Sequence, residues 1–467
     1  MNNLTSRQRK LIYAAGILLL LFPIVLLGAP AAKDVSVDDR SLSGGSGLLA
    51  RMRVQHDLGE ATLGNVDPSS AAMNLVLLGL RGPAATLLHI QAMDYQERKD
   101  WAKLSTTVHS ITLLQPHFVQ IWKFQSWNLA FNVSREWDKV DDRFYWVKQG
   151  IKFLKEGTNK NQTIAILYHT VGDYVTRKMN ISDEKKFFRE FFLRDPDTER
   201  YSGGPDTEIN PKSEDSNLVA KDWFITANEK DDLFGMTGMT HVFFRQGPAK
   251  AQLSYAEARQ KDGFFDQETR SAWEIGFREW MEDYGVYPFA GLNDWKYKLN
   301  STPDDLTVMA RENGISVEEQ RNLWAKNLDM VHYRFWRDYA ETEKDEQTMI
   351  AHQTTFNAKK AFSEGRGFNS VDAEGKTTIS EAQQQLEEAM RQWVEIFRKY
   401  PGMLSDNRSY VEEALSAVHY WRVVHETNGT PPAAEYPLKD LWEKRVDVHA
   451  DVQRQFLIDT MRAKKNN

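Results

Sequence analysis

The sequence predicts an all-α chain, a stack of helical hairpins standing behind one N-terminal membrane-spanning helix. Three observations carry that expectation. From Ala71 onward apolar residues return at three- and four-residue intervals, the spacing that gives a helix one apolar face, while the strict alternation of strands is missing. Proline steps at Pro116, Pro196, Pro288 and Pro401 cut this pattern into hairpin-sized pieces. Residues 11–32, LIYAAGILLLLFPIVLLGAPAA, are uncharged and follow Arg7, Arg9 and Lys10, and about 20 apolar residues cross a bilayer as a helix.

Because positive charge stays on the cytoplasmic side, residues 1–10 are expected as a cytoplasmic tail. Everything after Lys33 then lies on the periplasmic, non-cytoplasmic side of the cytoplasmic membrane. Ala29-Pro30-Ala31 offers a small-x-small cleavage site, but the run exceeds the apolar core of about 7 to 15 residues of a signal peptide, which favours an uncleaved anchor. Residues 33–70 read as a flexible tether. The Ser43–Gly47 stretch inside it lacks the lysine and the strand-to-helix setting of a phosphate loop.

The 467 residues are 41% hydrophobic and 27% charged, enough for a core and a coat, and 14 tryptophans supply large pieces for helix packing. A net charge of −7 removes the general attraction to nucleic acid. With no cysteine, disulfides, thiolate metal sites and cysteine nucleophiles are excluded.

Residues 71–196 are expected as the first helical array. Leu87, Leu88, Ala92 and Tyr95 mark one helix, Trp101, Leu104, Val108 and Ile111 the next, with a polar turn from Gln96 to Asp100. Setting Pro116 at the closing proline of a tetratricopeptide-type (TPR-like) unit of about 34 residues puts Ala92 and Tyr95 at its small and aromatic packing positions, and Val108 and Ile111 on its inner face. Trp122 then opens the next unit, where Gly157 is placed as a left-handed helix stop. A third unit, from Gln162 to Pro196, has Gly172 at the close-contact position and Phe188 and Phe191 on the inner face. The spacing stretches between units, and the small position of the second helix is Leu104 in one and Glu184 in another, so the array is degenerate. Residues 197–230 read as an exposed acidic Gly/Pro loop.

Residues 231–343 form a further helical hairpin section, with Trp273, Phe277 and Trp280 along one side and His241–Phe244 as the one short extended segment. Residues 344–467 repeat the opening theme: Leu386, Ala389, Trp393 and Ile396 share a face that closes at Pro401. A charged terminal helix from Leu438 to Met461 is expected to cap the array.

The run from Leu77 to Gly157, which opens LLGLRGPAATLLHIQAMDYQ and closes RFYWVKQGIKFLKEG, resembles the signature region of a family of single-span, TPR-like membrane proteins of planctomycete-type bacteria. Some members carry the label "iron responsive element" protein. The similarity covers most of the chain, including the N-terminal span. It implies an envelope-anchored helical fold and no particular reaction; these residues themselves suggest neither iron nor RNA chemistry.

No histidine sits in a His-Glu-x-x-His or Glu-x-x-His pair. His89, His109 and His169 read as packing or surface residues, and His419 and His425, six apart, lie on different helix faces. Asp141, Asp142 and Arg143 read as a charged helix start. Ser370–Glu381 places Asp372, Glu374, Gly375 and Glu381 at the offsets of a calcium loop, but Ser370 replaces the usual first aspartate and Thr377 the usual apolar residue, so a simple inter-helix loop is expected. Nucleophile-elbow and dinucleotide-binding patterns are absent as well. The expectation is therefore no catalytic residue, cofactor or metal, no nucleic acid, and a membrane-anchored scaffold that binds protein partners in the cell envelope. The alternatives are an envelope enzyme or glycan-binding domain with an aromatic-lined pocket, or a structural subunit of a larger membrane complex. Aromatic rings clustered in a deep cleft with converging carboxylates would favour the pocketed alternative.

Overall fold

The computed structural model describes residues 81–235, 237–371, 377–406 and 408–466, together with Gly16 and Leu19. The expected tail at 1–10, the anchor at 11–32 (apart from those two positions), the tether at 33–70 and residues 71–80 lie outside the described residues. Among the described residues no helix is long and apolar enough to cross a membrane. The chain is mostly helical, as expected. It divides after Thr240 into two compact units.

In the first unit α1 (Arg81–Glu97) and α2 (Trp101–Leu114) form the opening hairpin. Asp100 caps α2 by accepting from the Lys103 amide, and Ala92, Leu104, Val108 and Ile111 are buried. Next come α3 (Val119–Trp127), α4 (Val140–Lys160), α5 (Ala165–Val175), α6 (Lys185–Leu193) and α7 (Ser216–Phe234). Helices α3 and α5 each run on into a π-helical turn, Asn128–Asn132 and Thr176–Ile181.

Two expectations are corrected here. Gly157 is not a helix stop; α4 passes through it to Lys160. A Cβ at Gly157 would lie 2.9 Å from the Trp122 ring, and one at Gly150, two turns earlier on the same face, 2.7 Å from the Ser126 carbonyl oxygen. The two glycines therefore mark the close crossing of α4 over α3. The loop expected over 197–230 ends at Asp215, whose side chain caps α7, and Val219, Ala220, Phe224 and Ala227 pack α7 along α5, where Gly172 meets Phe224.

The remainder of that loop is tied down. Lys148 of α4, 4% exposed, pairs with Asp195 and lies 3.5 Å from Asp206; Lys152 reaches Asp206 at 2.8 Å and Glu208 at 2.7 Å. Tyr201 donates to Asp206, and its ring lies 4.5 Å below the Lys148 ammonium. Asp206 and Glu208, in the stretch expected as an exposed loop, are the counterions of two lysines on α4.

The second unit opens with α8 (His241–Arg245), which corrects the extended segment expected there. Val242 and Phe244 are both buried in this short helix, and Tyr284 donates to the Val242 carbonyl. Then follow α9 (Gly247–Lys261) and α10 (Gln267–Arg278), the latter continued by a π-helical turn, Glu279–Tyr284. A two-residue antiparallel pair, β1 (Phe289–Ala290) with β2 (Lys296–Tyr297), precedes α11 (Pro303–Asn313) and α12 (Val317–Met330). Both helices start in reciprocal capping boxes, Thr302 with Asp305 and Ser316 with Glu319. The core of this half gathers Trp273, Trp280, Tyr284 and Tyr333.

Helices α13 (Tyr333–Glu343) and α14 (Glu346–Ser363), the short pair β3 (Ser370–Val371) with β4 (Thr377–Thr378), and α15 (Glu381–Lys399), α16 (Arg408–Thr427), α17 (Lys439–Lys444) and α18 (His449–Asn466) complete the unit. The single terminal helix expected from Leu438 to Met461 is corrected: the chain leaves helical geometry at Arg445, and the bend brings His449 back onto the Trp442 ring at 3.9 Å. Small buried residues Ala351, Thr355 and Ala358 let α14 lie close along α15, which buries Leu386, Ala389, Trp393 and Ile396.

Candidate functional site

The second unit encloses a cavity of about 750 Å³, open to solvent on one side, between α9, α13, α14, α16 and α18. That volume lies within the range of about 300 to 1,000 Å³ typical of small-molecule sites. Its floor is ionic. Glu343 is the last residue of α13 and is 1% exposed, and His352 lies almost two turns into α14. His352 Nε2 meets Glu343 Oε1 at 3.1 Å, and Nδ1 meets Glu413 Oε1 of α16 at 2.8 Å. Tyr410 Oη donates to Glu343 Oε1 at 2.7 Å, and Gln260 Nε2 of α9 donates to Glu343 Oε2 at 2.8 Å.

Glu343 is thus held by three donors from three other helices. Glu413 keeps one side to the cavity, being 31% exposed.

The charge state follows from this geometry. Carboxylates only accept, so an imidazole with a carboxylate on each nitrogen carries both hydrogens. Burial alone would lower the His352 pKa, but Glu343 and Glu413 outweigh it and hold the imidazolium well above the ordinary histidine value. Burial would raise Glu413; His352 and the nearby Lys359 and Lys261 bring it below the usual carboxylate value. The Tyr410 phenol is pushed far above its ordinary value by burial and by Glu343, so it stays a donor. Near neutral pH the network is a fixed set of charges that positions the floor; with both nitrogens protonated, His352 does not act as a general base.

Rings and lysines make the walls. Phe265 and Phe356 meet at 5.6 Å and 59°, and Phe356 is 39% exposed. Gly263, at φ +88°, turns the chain after α9 so tightly that a Cβ there would lie 2.6 Å from the Phe356 ring. Lys359 stands 5.8 Å over the Tyr420 ring, Lys261 pairs with Glu257 at 2.6 Å, and Asp459 accepts from Gln455 at 2.7 Å.

Of the residues expected at repeat positions, Trp393 alone borders this site: its Nε1 donates to Thr355 at 3.0 Å and its ring stands edge-on to His352 at 5.0 Å. The others lie in packing contacts or at helix ends elsewhere. Ala92, Val108 and Ile111 are buried in the first hairpin, and Tyr95 is half-buried. The buried Pro116 carbonyl accepts from Trp122 Nε1 at 2.8 Å and from Asn161 at 3.0 Å. Phe188 is buried and Phe191 half-buried, both against Phe144. Pro196 is half-buried and Pro401 exposed; Ala389 and Ile396 are buried in α15.

Asp372, Glu374 and Gly375 of the calcium-loop pattern lie outside the described residues; Glu381 opens α15 and pairs with Arg366. Among the described residues no group of three or more acids and histidines is arranged to hold a metal ion. His89 lies against Phe118 and Phe124, His109 is exposed, and His419 lies against Phe456. Burial pushes His169, packed on Phe224, down to about 4. His425 Nδ1 meets Thr430 Oγ1 at 2.9 Å. Asp141 and Asp142 stand in the first turn of α4, while Arg143 pairs with Glu184 at 2.6 Å.

Sequence reasoning does not single out Glu343, His352, Tyr410 or Glu413. They come from three helices, and Glu413 is 61 residues from His352, so no short motif announces them.

No protein-family model, no curated protein and no solved structure matches the chain.

Proposed function

We propose that the chain is a membrane-anchored helical binding protein of the cell envelope, whose C-terminal unit takes a ligand into its cavity. One observation carries this reading. The Glu343–His352–Glu413 floor is costly to bury, since each ion loses several kcal/mol of hydration, on the order of the whole stability margin of a domain. An apolar floor would pack more cheaply, and here the charged one lines an open cavity ringed by aromatic side chains. Converging carboxylates among aromatic rings are the feature that favours the pocketed alternative over a purely structural stack. The fixed charges favour binding over acid–base catalysis.

The test is to purify the full chain from its native membranes, denature it and identify released molecules by mass spectrometry. A molecule carried by the wild type and depleted in Phe356→Ala supports the reading; equal recovery from both, or none from either, refutes it.

Scaffolding of protein partners is a second reading, favoured by the exposed rings of Trp127, Trp137 and Tyr145 on the N-terminal unit. The degenerate TPR-like stack belongs with it. The π-helical turns that recur after α3, α5 and α10 support a repeated hairpin unit. So does the resemblance to the single-span envelope family, with the anchor at 11–32 and the bulk of the chain on the non-cytoplasmic side. Photo-crosslinking in cells from position 127 tests it: protein partners lost on Trp137→Ala with Tyr145→Ala support scaffolding, and unchanged partners refute it.

A further inference from the structure

The ligand itself is constrained by the lining, and this step rests on the cavity-binding reading above. We propose that the cavity binds an uncharged glycan, with sugar rings laid on its aromatic faces and sugar hydroxyls taken up by the acids and lysines set between them.

The ring content is the first argument. Six aromatic rings line the cavity; Tyr410 and Tyr420 are buried within its wall, and Phe265, Tyr339, Phe356 and Phe362 are the partly exposed ones, Phe265 and Phe356 meeting at 5.6 Å. A sugar ring is amphipathic in the matching sense: its C–H face lies on an aromatic face, and its hydroxyls project sideways as both donors and acceptors. A lining that carries both ammonium groups and carboxylates beside its rings suits groups that donate and accept equally.

Charge is the second. The lining acids Glu257, Glu343, Glu413 and Asp459 are matched by Lys261, Lys359, Lys360 and the imidazolium of His352, which is flanked by a carboxylate on each nitrogen. A balanced wall supplies no net field to retain a polyphosphate, a nucleic acid or a polycation.

The remaining ligand classes fit less well. A lipid chain would strip water from Glu413 and return no hydrogen bond. An extended peptide needs main-chain partners, and the cavity is walled by helices whose backbone groups are paired internally. The two carboxamides in the lining are already committed, Gln260 to Glu343 and Gln455 to Asp459.

The experiment is isothermal titration of the full chain in micelles of lauryldimethylamine oxide, which has no sugar headgroup. The probes are cellohexaose, chitohexaose, mannohexaose, hexagalacturonic acid and an uncharged Gly-Ser hexapeptide. The expected result is binding of at least one neutral hexasaccharide, weakened about tenfold by Phe356→Ala and restored by Phe356→Trp, which keeps a stacking face. Thermal melting of the exposed-site variants checks that they fold as the wild type does. Binding of the hexagalacturonate or the peptide in place of every neutral sugar, or neutral-sugar binding indifferent to position 356, overturns the glycan assignment. If the molecule released from native membranes is cavity-dependent but is a peptide or a lipid, the glycan assignment falls and the binding function stands. If no probe binds and no cavity-dependent molecule is released, both fall.

Discussion

Replacing His352 with glutamine would leave Glu343 buried beside a neutral side chain, with Glu413 facing it across the gap. Removing one partner of a buried ion pair costs about 3 to 5 kcal/mol. The Glu343 side of the triad, at 1% exposure, carries most of that cost, whereas the Glu413 side at 31% is discounted because solvent screens it. Tyr410 and Gln260 still donate to Glu343, which trims the loss further. The expectation is about 3 kcal/mol, taken from the C-terminal unit only. Hydrogen exchange read by mass spectrometry localises it: protection of α14 and α16 should fall by roughly a hundredfold, with α1 to α7 unchanged. The pH dependence provides a second reading. The folded-state pKa of His352 is raised above 6.5, so its contribution is full below that value and is lost as pH rises through the folded pKa. Glu413 is lowered from 4.5, so its contribution is full above that value and is lost as pH falls through the folded pKa. Wild-type protection of these helices should therefore be highest between about 4.5 and 6.5 and decline towards alkaline pH, and His352→Gln should lack the alkaline decline. A loss below about 1 kcal/mol, or the same alkaline decline in the variant, would refute the charged-triad account.

Lys148→Ala leaves Asp195 buried without its cation, while Asp206 keeps Lys152; a loss of about 3 kcal/mol should appear as faster limited proteolysis between residues 196 and 215, with no effect on the C-terminal cavity. Gly157→Ala gains about 1 kcal/mol of helix propensity but forces a methyl group to 2.9 Å from Trp122, where overpacking costs about 1 to 3 kcal/mol. A net fall in melting temperature is expected, and a rise would contradict the close α3–α4 crossing. Glu319→Ala removes one arm of the α12 capping box and should cost about 0.5 to 1 kcal/mol in denaturant melts, since the Ser316 arm remains. Deleting residues 1–32 should release the chain from the membrane fraction in carbonate-washed preparations; retention would refute the anchor.

The helical character was open to reading along the chain because it is a local property. The faces of α2 and α15, with Val108 and Ile111 or Ala389 and Trp393 at three- and four-residue intervals, are set by residues within one helix, and those side chains are buried. Position 157 shows where local reasoning fails. Glycine suits a left-handed stop and a close helix crossing equally well, and only the approach of Trp122 decides between them. Asp206 and Glu208 likewise look like part of an exposed acidic loop until Lys148 and Lys152 on α4 are seen beneath them.

The candidate site belongs wholly to the second category. Trp393 is legible from its face on α15, but the groups it borders are not, because a charge network has no period. Local chemistry along the backbone determined which segments coil and which faces are apolar. Tertiary packing decided which acids face a cation, a ring or water, since the energy of a charge depends on whatever lies within a few ångströms of it, however distant in sequence.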